Sequence, residues 1–395
     1  MIAPCGRCLF REGGICNHGR GRHISLRQNA RLGRFSLTIS RQSAGSLPVR
    51  AHYGVSDLNI PVVRAQHLIH YIGVLRDAGM PVERALERSR LPVSIEQTPD
   101  EYVSLPRALN WVWRSSREVG IMELGFLAGR AGSLNTLHPD LQRAVIGAPT
   151  ALSRIEVLSN LVQRENSAVK IDIRREGGGR RVACEVLGFQ NSPFVGFAEW
   201  KVIAGIIDVV RSAAGPDWCP AEITFVSRGR PSDATLDAYG NARILTGQRC
   251  CSILIAAADL AQTCIDRRSS ADEVNGPLPP PPPPSGLGDA WDFVTTLRAL
   301  IRPYLAQGHP HLSLVAEIVG MSERTLQRRL AQAGTSYSNI VQDARFSIAS
   351  DLMADTDLNI ADIAFAAGYE NAPHFSRAFK RLTGMTPREY RCGLA

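Results

Sequence analysis

The stretch SLVAEIVGMSERTLQRRL (residues 313–330) returns in altered form as IADIAFAAGYENAPHFSRAF (residues 360–379), and this repetition decides how the second half of the chain folds. In each copy an alanine precedes a glycine by four positions, Ala316 to Gly320 and Ala364 to Gly368. An apolar pair four residues apart follows, Leu326 with Leu330 and Phe375 with Phe379. Four-residue spacing puts both members of a pair on one helix face. The small alanine lets two helices cross closely, and the glycine supplies the positive φ of a tight turn between them. Ser322 stands where an N-cap belongs, accepting from the free N–H groups of the helix it opens. Each copy therefore reads as a helix-turn-helix, and two copies offset by 48–49 residues are far more specific than one. Between them Ser338 to Ala354 reads as one continuous helix, about 25 Å long. A strut of that length suits two recognition helices set in successive major grooves, about 34 Å apart.

With the apolar pairs turned inward, the outer faces carry Arg324, Gln327 and Arg328 in one copy, and His374 and Arg377 in the other. Arginine matches a guanine edge and glutamine an adenine edge, at roughly 1–3 kcal/mol of discrimination each. His374, close to a helix start, suits a phosphate equally well. Over about residues 290–391 the sequence resembles the AraC/XylS-type regulators. The resemblance rests on Ile363-Ala364, Gly368-Tyr369, the run His374 to Lys380, Gly384-Met385-Thr386-Pro387 and Tyr390-Arg391, with Arg345 and Ala349 in the connecting helix. It implies a monomeric unit with two helix-turn-helix motifs that bends or tracks along double-stranded promoter DNA. It also implies Arg324, Gln327, Arg328, His374 and Arg377 as base-facing residues, with Ser322, Asn371, Ser376, Lys380 and Arg381 on phosphates. Leu330 stands where many relatives carry an aromatic residue, a change confined to packing.

Upstream, Ile60 to Ala78 and Pro81 to Ser89 read as helices, and Leu105 to Ala128 as a third. Ala168–Arg175 and Arg180–Leu187 alternate around Gly177-Gly178-Gly179, the pattern of a β-hairpin rather than of a phosphate-cradling loop. Phe197 to Ser212 is a long apolar helix and Ala221–Ser227 a short strand. This α+β region resembles the arabinose-binding-like sensor domain of one branch of the same family, through Trp218-Cys219-Pro220 and the segment Tyr239 to Leu260. Relatives often carry asparagine where Cys250 stands, so no effector contact is assigned there.

Six consecutive prolines, Pro279–Pro284, cannot pack as helix or sheet and read as a semi-rigid spacer. The expected organisation is a disordered basic tail at 1–55, an α+β sensing and dimerisation domain at 56–265, a linker at 266–286 and an all-α DNA-binding domain at 287–395. The net charge of +8 lies entirely in the tail, which holds nine Arg and one Glu, while 287–395 carries eleven residues of each sign. Net charge therefore gives no argument for nucleic-acid binding by the folded part. An organellar presequence and a natural start near Val55 are rival readings of the tail. Only three lysines, Lys170, Lys201 and Lys380, stand against 42 arginines, a bias of coding composition.

Nine irregularly spaced cysteines and no apolar leader suit a reducing cytoplasm better than a disulfide framework. No apolar run is long enough to cross a bilayer. Sharper readings compete with plain ones. Cys5, Cys8, Cys16, His18 and His23 have zinc-ligand chemistry, but in an acid-poor tail they are read as accidental, and no metal or other cofactor is expected. His67 and His70, three apart, are read as surface or half-buried histidines, and Cys250-Cys251 as inert thiols rather than a redox sensor. The reading that emerges is a homodimeric activator controlled by a small organic effector and acting with RNA polymerase, without catalytic chemistry. The alternative is an enzyme whose 56–265 domain acts on a small molecule while the rest targets DNA. If the tail only adds phosphate attraction, deleting 1–55 leaves the melting temperature and operator specificity unchanged. Non-specific DNA affinity falls at low salt and converges with that of the full chain as salt rises.

Overall fold

The computed structural model describes residues 60–262 and 291–393, apart from 117, 118, 133, 190, 191, 193, 194, 306, 307, 309, 356 and 357, together with the backbone of 25–28 and 35–38. The chain divides into two compact units, 1–50 and 51–395. In the first, strand β1 (Ser25–Gln28) pairs antiparallel with β2 (Phe35–Thr38), Leu26 opposite Leu37. This ladder lies within the segment read as a disordered basic tail. Two four-residue strands are too brief a pattern to stand out in an Arg-rich background. The cysteines and histidines of the tail and the proline run lie outside the described residues.

The second unit opens with β3 (Val62–Arg64), which pairs antiparallel with β4 (Tyr102–Ser104). Helix α1 (Gln66–Asp77) follows β3 directly, so the single helix expected from Ile60 is corrected to a strand and a helix. Pro61 and the β-branched Val62-Val63 favour extended backbone, and the partner strand lies some forty residues away, beyond the reach of local periodicity. Next come α2 (Val82–Arg88), α3 (Leu105–Ser115), α4 (Ile121–Ala131), α5 (Pro139–Gly147) and α6 (Ala151–Leu161). The expected continuous helix from Leu105 to Ala128 is thus two helices, separated before Gly120, whose φ of 84° no right-handed helix admits.

β5 (Val169–Glu176) and β6 (Gly179–Val186) form the anticipated hairpin. After α7 (Val195–Ala214) come β7 (Glu222–Thr224), α8 (Asp233–Ala238), β8 (Arg243–Leu245), β9 (Cys251–Ala256) and α9 (Ala257–Leu260). The sheet order is β5-β6-β9-β7-β8, antiparallel except for the parallel β7–β8 pair. α7 is apolar on nearly every side because it packs on α4 and α6 and also against β6 and β9. A side chain at Gly125 of α4 would collide with the Phe197 backbone of α7, so that crossing is as close as two helices allow.

The remaining elements are all helical: α10 (Phe293–Leu305), α11 (Leu312–Ile318), α12 (Glu323–Gln332), α13 (Tyr337–Asp355), α14 (Ile360–Ala366), α15 (Ala372–Thr383) and α16 (Pro387–Cys392). Two apolar cores meet on α13. Ile340, Val341 and Ala344 join Val315, Leu326 and Leu330, whereas Ala349 and Met353 join Ile363, Phe375 and Phe379. The first of these cores also contains Ile60 and Val62, so the leading helix-turn-helix is built onto the α+β part of the chain.

Both turn glycines are left-handed, Gly320 at φ 70° and Gly368 at φ 78°. Around Gly320 there is open space, whereas a Cβ at Gly368 would stand 2.6 Å from the Leu305 carbonyl oxygen. Gly320→Ala is expected to cost about 1–2 kcal/mol, the left-handed backbone strain alone. Gly368→Ala adds overpacking of about 1–3 kcal/mol. Urea unfolding of the two variants checks the difference, and equal losses contradict it.

Candidate nucleic-acid interface and ligand cavity

Each second helix of the two motifs begins on a side-chain cap. Ser322 Oγ accepts from Thr325 N at 3.2 Å and Asn371 Oδ1 from His374 N at 2.8 Å. These oxygens, expected at phosphates, thus first serve to fix the helix starts. Leu326 and Leu330 bury one face of α12, and Phe375 and Phe379 one face of α15. Helical spacing then turns Arg324 and Arg328 directly away from the core, with Gln327 on the flank. On α15 Arg377 stands opposite the buried phenylalanines and Arg381 follows one turn later, with His374 before and Lys380 beside them. All seven of these side chains outside the buried pairs are exposed, as are Ser322 and Asn371, while Ser376 is half-buried. Arg345 of α13 fixes the second turn: its guanidinium donates to the Gly368 carbonyl at 2.8 Å and lies 4.7 Å over the Tyr369 ring.

A second site lies inside the α+β part, a cavity of ≈ 130 Å³ walled by α1, α3, α6, α7 and β5. Leu105, Leu109, Val112, Leu158, Ile171 and Phe197 make it largely apolar, and His67, Thr136, Glu165, Lys201 and Asp208 are among its polar lining. There His67 Nε2 lies 2.7 Å from Glu165 Oε2, and His70 Nε2 lies 3.1 Å from Thr136 Oγ1. Glu165 also accepts from Arg64 Nε at 2.8 Å and from His138 N at 2.7 Å. Burial opposes the charge of Glu165, but the His67 bond, the neighbouring positive groups and the His138 N–H outweigh it and hold the carboxyl at about 2. Burial drives the His67 ring down, so that it is neutral and donates through Nε2. It also drives His70 down to about 4, helped by the charge of Lys201. Lys201 of α7 lines the cavity, brought to about 8 by burial.

Glu165 lines a second, larger space as well, a cleft of ≈ 720 Å³ between residues of the α+β part and α10 and α13. The seam around it is polar and specific. Arg302 is paired with Glu101 at 2.9 and 3.0 Å and with Asp351 at 2.9 Å. Tyr304 Oη donates to the Arg90 carbonyl at 2.7 Å and Trp291 Nε1 to the Gln163 carbonyl at 3.0 Å. Trp291 meets Tyr102 edge-on, and Arg107 donates to the Glu317 carbonyl.

Sequence reasoning found the helical faces but missed this cavity and seam. One signal was present: Lys201, one of three lysines, interrupts the long apolar run of α7. His67 and His70 are half-buried, as expected, and His67 lines the cavity. Cys251 is buried opposite Cys184 in the β6–β9 ladder, with burial pushing its thiol well up, while Cys250 is exposed. Among the described residues no cluster of three or more metal-ligating side chains is present, and no helix is long and apolar enough to cross a membrane.

Comparison with known proteins places both regions. A helix-turn-helix domain family matches residues 315–392, and the N-terminal arabinose-binding domain of AraC transcription regulators matches residues 79–264. The HTH-type transcriptional regulator VirS of Mycobacterium tuberculosis is 24% identical over 339 residues, 84% of this chain and 96% of that protein. The transcriptional activator NphR of a Rhodococcus species is 33% identical over 98 residues, 25% of this chain and 29% of that one. Among solved structures, the transcriptional regulator CdpR of Pseudomonas aeruginosa is similar at 18% identity and a TM-score of 0.35, over 79% of this chain and 96% of that one.

The cavity edge sets an acid dependence. His70 has a folded value of about 4 against an ordinary 6.5, so the unfolded chain takes up its proton first and stability falls as pH drops from 6.5 toward 4. Glu165, near 2 against 4.5, contributes stability that is complete above 4.5 and lost as pH falls toward 2. Denaturant midpoints measured from pH 7 to pH 4 are expected to decline, and His70→Gln to flatten that decline. An unchanged slope in the variant contradicts the assignment.

Proposed function

The chain belongs to the AraC family of transcription regulators, and we propose that it is a cytoplasmic, homodimeric activator whose DNA affinity is set by a small organic molecule in the α7 cavity. The observation that carries this reading is the pair of capped helices, α12 and α15, anchored to opposite ends of one rigid helix, α13, with arginine-bearing faces left open. Arg324, Gln327, Arg328, His374 and Arg377 read base edges. Ser322, Asn371, Ser376, Lys380 and Arg381 meet the phosphates, where the capped helix starts also present N–H groups to an anion. The regulator performs no catalysis of its own and acts on promoters by engaging RNA polymerase.

Control follows from the wall shared by the cavity and the seam. Glu165 faces both, so a ligand that moves His67 or Glu165 changes the anchorage of β3 and thereby the footing of α10. A ligand shifts this equilibrium only by the difference in its affinity for the two arrangements. That requirement is met where the ligand touches the same residues that hold the seam.

Nuclease footprinting of the promoter region next to the gene, with full-length protein, tests the DNA-binding reading. Arg377→Ala is expected to cost about 1–3 kcal/mol and to relax preference at one base position. Lys380→Ala is expected to weaken binding evenly across sequences and to reduce the salt slope by about one unit. Interchanged outcomes mean that α15 meets the groove rotated from the face assigned to it.

A further inference from the structure

The α7 cavity is largely apolar, with Lys201, His67, Thr136 and Glu165 among its polar lining residues and Asp208 lining it two turns further along α7. Among the described residues Lys201 forms no hydrogen bond or ion pair. A side chain on Gly132 would collide with its Nζ, so the half-buried lysine holds its ammonium close against the Gly132 backbone at the cavity wall. The nearest anion bearing on it is Asp208, two turns along α7, and Arg211 on the next turn already faces that carboxylate. Glu165, the other acid at the wall, is committed to Arg64, His67 and the His138 N–H. The two histidines are neutral at pH 7, so they neither compete with the lysine nor repel an incoming anion. A partly desolvated cation with no directly paired anion is costly to hold, and a ligand that places a carboxylate against it offsets that cost.

We propose that the effector is a small monocarboxylic acid with an apolar body, its carboxylate on Lys201 and its body among Leu109, Val112, Leu158 and Phe197. The volume bounds the body. A dry cavity of roughly 150 Å³ holds one benzene, so ≈ 130 Å³ admits a single aromatic ring or a short acyl chain. The arrangement is that of a ligand site, an apolar pocket with a few convergent polar groups that set orientation. Lys201's lowered value of about 8 fits the same picture, since a bound carboxylate restores the charged form.

This assignment deepens the regulatory reading above and rests on it for the word effector, but it is tested by direct binding. Isothermal titration of the full chain with benzoate and hexanoate, and with benzamide and benzylamine as neutral and cationic counterparts, is expected to show binding of an acid. The amide and the amine should be weaker by about tenfold or more, the worth of a hydrogen bond to a charged group. Lys201→Met should abolish the preference for acid over amide. Gly132→Ala, at a backbone of φ −79° and ψ 162° that any residue adopts, should weaken the acid by displacing the ammonium while leaving the melting temperature intact. Benzamide or benzylamine binding as tightly as benzoate, acid affinity unmoved by both variants, or no acid binding at millimolar concentration overturns the assignment. Operator affinity, measured separately, keeps the two readings apart. An acid that binds without changing DNA affinity counts against effector control alone. Specific DNA binding with no acid binding counts against the ligand class alone.

Discussion

Arg64 is a guanidinium with 2% of its surface exposed, and much of the α+β part is arranged around satisfying it. It is bonded to Glu165 at 2.8 Å, to Asp100 at 2.6 Å and to the Thr136 carbonyl, and its own N–H donates to the Glu165 carbonyl at 2.8 Å. Three segments distant in sequence are thereby tied to strand β3. Removing one partner of such a buried pair typically costs about 3–5 kcal/mol, because the other charge is left without compensation. The network is therefore less a source of net stability than a fixed point. It dictates where β3 lies, and β3 contributes Val62 to the core of the first helix-turn-helix.

From that point the architecture extends in two directions. Inward, His67 and Glu165 carry the network to the edge of the cavity. Outward, β4 pairs with β3 and offers Tyr102 to Trp291 and, just before it, Glu101 to Arg302. Arg302 also reaches Asp351 on α13, the helix to which both recognition helices are anchored. The route from cavity to DNA-facing surface is short and consists of paired charges, one aromatic contact and a rigid helix, elements with defined geometry rather than loose loops.

The helix-turn-helix pair was legible in the sequence because its information is local. Gly320, Ser322 and the Leu326–Leu330 spacing each act within one or two turns, and the second copy repeats them. The cavity and the seam were not legible, because their residues meet across large separations. Arg302 and Glu101 stand 201 positions apart, and His67 and Glu165 98. No periodicity announces such a pair. The helix expected over 60–78 failed in part for the same reason: Pro61 and the β-branched Val62 and Val63 favour extended backbone, but the partner strand β4 that fixes it lies some forty residues away. Lys201 is intermediate. Its presence within an apolar helix marked it as unusual, but only the packing of α7 against α4 and α6 shows what it faces.

The shared core also limits how regulation can operate. Full separation of the DNA-binding helices from the α+β part would expose Ile60 and Val62, both nearly inaccessible now, at about 1.5–3 kcal/mol each. Their apolar partners on α10 would lose a similar amount, and the Arg302 pairs and the Tyr304 and Trp291 bonds would be broken as well. The total exceeds the 1–3 kcal/mol that couples effector and ligand sites in typical allosteric proteins. A small molecule in a cavity of this size cannot supply the difference. Regulation is therefore better served by an adjustment within the docked assembly. A shift of β3 of an ångström or less would tilt α10 and, through Arg302 and Asp351, change the angle at which α13 presents its two recognition helices. If both helices meet successive grooves at once, as proposed, a small change in that angle would alter the fit of one while the other is bound, and DNA affinity would respond without any contact between ligand and DNA.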